Sequence, residues 1–269
     1  MPIQGPNPRL LSRSCSVRPL ALALFLGAAG ALSAATIAIP NSSFEQEVVP
    51  PGSPVSINFP PWTANPNPGF LPPEDWAVLT GVFPNTDASQ YNTITNISGN
   101  QAVYVTAIGG AGFYQDLSSP DAVFAVGQAY QFTLAIRAGE FRQNGQPVRY
   151  LSTGDTLHLV FYYRDGSNNI VPIKTSNIVF DSATMPYSNF LTDYSVTTDE
   201  VNAGDLWAGK AIGLMVIVDM ATFNGTGGYW DMDNARLASV PEPSAAGLLL
   251  VGLASAGLLR RRSAKPVFA

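Results

Sequence analysis

Five stretches in the middle of this chain carry apolar side chains with a period of two, and none of them holds the period of a helix. They are Gln101–Ile108, Tyr130–Arg137, Thr156–Tyr163, Ala211–Asp219 and Gly228–Leu237. Each is bounded by Gly, Asn, Asp or Pro, so each reads as a strand ending in a turn. The chain has 24 glycines and 22 prolines in 269 residues, which leaves little room for long helices. Many short antiparallel strands predict an all-β fold, an antiparallel β-sandwich. No stretch has the composition of an interdomain linker, so residues 35–239 form one domain. The proline-rich segment Pro50–Pro73 reads as a long surface loop inside it, held by Trp62 and Phe70.

Charge narrows the partners. The whole chain carries a formal net charge of -5, but its basic residues crowd the two ends. Between Ala35 and Val240 there are seven basic and eighteen acidic residues, a net charge of -11. Such a body repels nucleic acid and anionic lipid and suits a divalent cation. Cys15 is the only cysteine and His158 the only histidine. A disulfide framework, a thiolate metal site and a zinc site built from several imidazoles are therefore excluded within one chain.

Both ends read as addresses. Arg9, Arg13 and Arg18 precede an apolar run, Leu20–Leu32, and the small residues Ser33, Ala34 and Ala35 follow. A basic segment, a short apolar segment and small residues, in that order, describe a secretory signal over residues 1–34, cleaved within Ser33–Thr36. The other end reads Val240-Pro241-Glu242-Pro243-Ser244, then residues 245–259 without a charge, then Arg260-Arg261-Arg262 and a short tail, 263–269. At ~1.5 Å per residue, a helix over 245–259 is about 22 Å long, short for a hydrocarbon core of ~30 Å. Snorkelling arginines and local thinning make up the difference. Arginines after such a helix stay cytoplasmic, which leaves the body outside. The block 240–262 resembles the PEP-CTERM sorting signal, in which exosortase systems recognise Pro-Glu-Pro and remove the helix. The resemblance implies an exosortase as partner, a transient stay in the inner membrane, and a final place at the cell surface or beyond it.

The body carries a second resemblance. The opening Ile39-Pro40-Asn41-Ser42-Ser43-Phe44-Glu45 is similar to the start of galactose-binding-like jelly rolls. Trp76, Gly99-Asn100-Gln101, Gly112–Leu117, Tyr130-Gln131-Phe132 and Asp231–Leu237 continue the likeness. Carbohydrate-binding modules and the Stig cyclases of hapalindole-type alkaloid biosynthesis share these landmarks. The resemblance implies a structural calcium site, since the first and last strands of such folds lie close together. Here its ligands would be Glu45 and Asp233 with groups of Asn41 and Ser43. For the cyclases it implies a general acid near the last strand, which Asp231 or Asp233 would supply. Fold similarity does not carry activity with it, so both readings stand.

Aromatic side chains outside the strands suggest a third site. Trp62 and Trp207 fall in loop-like sequence, where an indole face can stack on a sugar of an extracellular polysaccharide. Trp76 and Trp230 sit in strand-like sequence and read as core. His158 alternates with apolar neighbours on its strand and reads as structural. Asn41, Asn96 and Asn224 match the short N-x-Ser/Thr pattern. The expectation is a surface or matrix protein that is not an enzyme and that binds carbohydrate. The alternative is an exported, calcium-dependent enzyme of the cyclase type.

Overall fold

The longest ladder joins β6 (Gln128–Gly139) to β13 (Tyr229–Pro241), and it sits in the middle of a six-stranded sheet. The order there is β11 (Thr192–Thr197), β6, β13, β4 (Gln101–Thr106) and β3 (Thr80–Pro84), with β1 (Ala35–Ile37) also pairing β13. A five-stranded sheet faces it, in the order β10 (Ile170–Val179), β9 (Thr156–Arg164), β12 (Gly213–Val218), β5 (Gly112–Asp116) and β2 (Thr63–Asn65). A small hairpin, β7 (Phe141–Gln143) and β8 (Gln146–Arg149), stands apart. Every strand pairing is antiparallel. This computed structural model describes residues 34–49, 55–65, 79–85, 93–139, 141–143, 146–219 and 228–241, and no helix occurs among them. They all belong to one compact unit, Ser33–Glu242. The signal and the apolar tail helix lie outside the described residues, as does Trp76.

Alternation explains the layers. Tyr130, Phe132, Leu134, Ile136 and Ala138 of β6 point into the sandwich, as do Leu157, Leu159, Phe161 and Tyr163 of β9 and Leu214, Val216 and Val218 of β12. On β13 the inward set is Trp230 and Met232, then Ala235 and Leu237, a step of three across the middle. The ladder to β6 slips there, between Asp233 and Arg236, and Asn234 takes a left-handed φ of 57°. That is a β-bulge, an extra residue that resets which side chains face inward.

The proline-rich segment is less of a free loop than its sequence suggests. It supplies β2 to the sheet edge, and Ser56 bridges Val82. Trp62, expected on a binding surface, is instead 3% exposed. Its ring meets Phe113 edge-on at 5.2 Å and lies 5.7 Å from that of Phe44. Its indole N–H donates to the carbonyl of Asn41 at 3.0 Å. Aromatic pairs of this geometry add ~0.5–1.5 kcal/mol each beyond their buried area, so Trp62 serves the core.

A second apolar layer covers the outer face of the six-stranded sheet. Phe83, Ala102, Tyr104, Ala135 and Tyr229 point away from the sandwich core, yet Ile94 and Leu191 join them in a buried cluster. The segments carrying those two residues are laced together. Asn96 donates to the Leu191 carbonyl at 2.9 Å and accepts from the Leu191 N–H at 2.8 Å, while the Thr95 N–H reaches the Asn189 carbonyl at 2.8 Å. The outer face of this sheet is therefore roofed, and the two carboxylates of β13 lie under the roof.

Candidate functional site

Asp231 and Asp233 are two residues apart on β13, and their surroundings separate them. Asp231 faces Arg137, directly across the ladder on β6. Arg137 donates from Nε at 3.0 Å and from Nη2 at 2.8 Å to Asp231 Oδ2. Both side chains are 3% exposed. Arg137 Nη1 also donates to the Ser188 carbonyl at 3.0 Å and to Asn189 Oδ1 at 3.2 Å. Gly139 makes room for the pair: a Cβ there would stand 2.4 Å from Asp231 Oδ2. Burial pushes the Asp231 carboxyl up from its ordinary value, while the charge and hydrogen bonds of Arg137 pull it down. The guanidinium stays protonated in proteins, so a neutral Asp231 would strand a buried cation. The pair is ionic.

Among the described residues no cation lies beside Asp233. Its side chain is buried, Oδ2 accepts from the Ser98 N–H, and Oδ1 has no well-formed hydrogen bond among those residues. Burial pushes its carboxyl up to about 7, and the charge of Glu45 adds to the effect; the Ser98 and Asn234 N–H groups oppose it. Glu45 lies nearby because the opening segment folds against the bulge, where the Ala235 N–H donates to the Ser42 carbonyl at 2.8 Å. Glu45 Oε1 accepts from the N–H groups of Asn100 at 2.8 Å and Gln101 at 2.7 Å. Gly99 fits between them with φ 103°, and a Cβ there would stand 2.6 Å from the Glu45 carboxyl. One short segment, residues 98–101, thus holds both carboxylates.

Cation chemistry fits part of this arrangement. An unpartnered buried carboxylate oxygen beside a second carboxylate is the donor set a hard cation selects. Asn41 departs from the expected ligand set. Its side chain accepts from the Gln46 N–H at 3.0 Å and donates to the Pro60 carbonyl at 2.8 Å, and its carbonyl is the acceptor for Trp62. Asn41 organises the opening loop instead. Ser43 lies in the chain between Ser42, whose carbonyl accepts from Ala235, and Glu45. Among the described residues no group of three or more His, Cys, Asp or Glu gathers around one point, so such a site would draw on backbone carbonyls and water for the rest.

The remaining expected positions divide plainly. Trp207 is half-buried, its ring 4.9 Å from Phe124 at 86°. Trp62 and Trp207 share no platform. His158 bonds Asn177 through Nδ1 at 2.9 Å, with Asp219 3.8 Å from Nε2, a surface contact between neighbouring strands. Asn41 and Asn96 spend their amides on internal hydrogen bonds, and Asn224 lies outside the described residues. The sequence reading did not single out a cavity of about 260 Å³ where β6 outruns β11. Arg137, Met185, Pro186, Ser188, Phe190 and Tyr194 line it, and Phe190 is 58% exposed. One wall is the edge of β6 and β11, and the other is residues 184–190, a segment with no alternating pattern that left no signal to find.

Comparison with known proteins bears on the two ends of the question. The PEP-CTERM protein-sorting motif matches residues 239–263. A motif of this kind marks an exported protein that an exosortase system sorts to the cell surface. No curated relative matches the chain. Among solved structures, an apo-form cyclase from Fischerella sp. is similar at 20% identity, covering 78% of this chain and 98% of that one, with a TM-score of 0.58. The Stig cyclase Fisc from Fischerella sp. TAU, in complex with (3Z)-3-(1-methyl-2-pyrrolidinylidene)-3H-indole, is 21% identical over 78% of this chain and 99% of that one, with a TM-score of 0.57. TmCBM61 in complex with beta-1,4-galactotriose is 14% identical over 74% of this chain and 95% of that one, with a TM-score of 0.39. At these identities the cyclases share the fold, a jelly-roll-type sandwich.

The ion pair predicts its own test. Asp231→Asn strands Arg137 in a buried site and should cost about 3–5 kcal/mol in urea unfolding. The double variant Arg137→Met, Asp231→Leu should recover most of that loss, because it removes both charges together. Equal midpoints for Asp231→Asn and the parent would mean that the pair does not hold the roof.

Proposed function

We propose that this exported protein is a non-catalytic surface or matrix protein, delivered by exosortase processing, with a calcium-stabilised sandwich as its body. The observation that carries the reading is the Arg137–Asp231 pair. A general acid must present a proton to a substrate, with a pKa near the working pH and room for the substrate beside it. Asp231 is held as a carboxylate by Arg137 and sealed beneath residues 188–191. Asp233 has the pKa but not the access, being fully buried under Ser98. Neither aspartate that the cyclase-type alternative would use as its acid is therefore presented to a substrate.

Sorting is tested by mass. In a host that has an exosortase, the mature protein should lose the segment after the Pro-Glu-Pro, and Glu242→Ala should slow that loss. Intact mass spectrometry that finds residues 244–269 retained on the surface protein rejects the sorting half of the reading.

Calcium rests on Asp233 and Glu45, with the Ser43 carbonyl as a further donor. When bound, the ion supplies charge compensation at the bulge, and the residues around it orient the opening loop. The folded-state pKa of Asp233, about 7, lies above its ordinary 3.8. In chelator the folded body therefore gains from the extra proton at low pH, and stability should fall as pH rises from about 4 to about 7. Calcium should suppress that fall. At a hundredfold excess over Kd it adds ~2.7 kcal/mol, or about 5–10 °C in Tm for a domain of this size. Magnesium should do less, since it holds its water shell. Glu45→Gln and Asp233→Asn should each remove most of the calcium shift. Identical melts of the parent in chelator and in millimolar calcium would eliminate a stabilising site.

A saccharide-binding role for the same body is favoured by the cavity beside β6. Phe190 offers an exposed ring at its rim, Tyr194 a phenol raised by burial, and the volume suits a single sugar unit rather than a drug-sized ligand. Phe190→Ala should weaken retention on a polysaccharide that the parent binds by about tenfold in affinity electrophoresis. Unchanged migration would take the cavity out of consideration.

A further inference from the structure

The end of the sandwich where the chain leaves for its tail carries the most exposed apolar side chain among the described residues. Strand β13 runs to Pro241, which pairs with Gln128, so the first proline of Pro-Glu-Pro is already part of the sheet. Ala35 of β1 pairs with Ser239 beside it. Only residues 242–244 separate Pro241 from the uncharged run that starts at 245. An extended chain spans at most ~3.6 Å per residue, so that connection is no longer than roughly 15 Å.

Two turns build this end. Residues 124–128 and 201–210 are joined by the Gly127 N–H to the Val201 carbonyl at 2.9 Å, the Val201 N–H to the Gln128 carbonyl at 3.0 Å, and the Gly209 N–H to the Phe124 carbonyl at 2.8 Å. The half-buried Trp207 ring locks against Phe124 between them. On this frame Leu206 is 79% exposed and Val126 is 58% exposed. Exposed aliphatic tips around a part-exposed tryptophan are the composition that settles at a membrane–water interface. The charges nearby, Asp199, Glu200 and Asp205 against Lys210, give no attraction to anionic lipid.

We propose that Val126, Leu206 and Trp207 form a lipid-contacting surface that seats the sandwich on the outer face of the bilayer while the sorting tail is attached. The inference rests on the reading of residues 245–259 as a transient anchor. Tethering explains why so small a patch suffices. A linker of three residues holds the tip at high effective concentration beside the bilayer, and a weak contact is then well populated. Removal of the tail ends that advantage, so the same patch lets the processed protein go.

The test uses the full chain carrying Cys15→Ser, floated with phosphatidylcholine vesicles. Single spin labels are placed at Leu206→Cys, Val126→Cys and, as a control, Ser182→Cys. Ser182 is exposed and follows Val179, which pairs with Thr156 at the other end of β9 from Arg164. Labels at 206 and 126 should collide with oxygen in preference to a nickel chelate, while the label at 182 shows the reverse. Anionic lipid should weaken the contrast, because the tip and the body are net negative, and added salt should restore it. Nickel access at 206 and 126 equal to that at 182, in protein that floats with the vesicles, overturns the lipid contact alone. Spin–spin broadening at 206 would assign the tip to a second copy and overturn it as well. Protein that does not float removes the anchor, and the proposal falls with it.

Discussion

Strand β13 lies between β6 and β4 in the six-stranded sheet, and the slip in its ladder at Asp233–Arg236 decides which of its side chains face the core. Before the slip Trp230 and Met232 point inward; after it Ala235 and Leu237 do. Without the extra residue at Asn234, inward parity would continue through Asn234 and Arg236, a polar and a charged side chain in an apolar core. The bulge therefore preserves the hydrophobic register at the cost of a local break in the ladder. The break also bares the backbone to which the opening segment binds, through Ser42 and Ala235. The acidic site near Glu45 is thus a consequence of how the strand keeps its core pattern.

The same strand shows how environment, rather than residue type, assigns electrostatic roles. Asp231 and Asp233 project from one face, and both lose water. Asp231 recovers what it lost from a guanidinium with planar, directed donors, and those donors also tie down the Ser188–Asn189 backbone that roofs the sheet. Asp233 recovers only part, from the Ser98 and Asn234 N–H groups, and the remaining deficit appears as a carboxyl pushed up to about 7. One carboxylate stabilises an ordered roof. The other retains an unmet demand for a proton or a cation, and among the described residues no basic side chain lies beside it to meet that demand.

The strands were legible because alternation is a local property. Gln101–Ile108 and Tyr130–Arg137 read correctly as β4 and most of β6, and the pairing of first and last motifs followed from the resemblance. What the sequence hides is contact at long range. Arg137 closes an outward-facing strand position, which by pattern alone belongs in solvent; its burial comes from residues 94 and 51 positions away. Trp62 misled for a similar reason. Prolines around it signal a loop, but its ring fills the gap between Phe44 and Phe113, two residues from separate parts of the chain. Asn41 was a plausible ligand by position, yet its amide is needed to hold the turn that presents Glu45.

Both chain ends of the body leave from one place, since β1 lies beside β13 at Ser239. Strand β1 begins at Ala35 and pairs with residues 237–239. Those partner residues precede Pro241, the first proline of the sorting motif, by a few positions. The sheet therefore runs into the residues that the sorting motif matches, as far as the pair of Pro241 with Gln128. The backbone hydrogen bonds that β1 and β6 give to β13 thus close the sheet at the first residues of the sorting motif, so the core ladder and the start of that motif are one continuous strand.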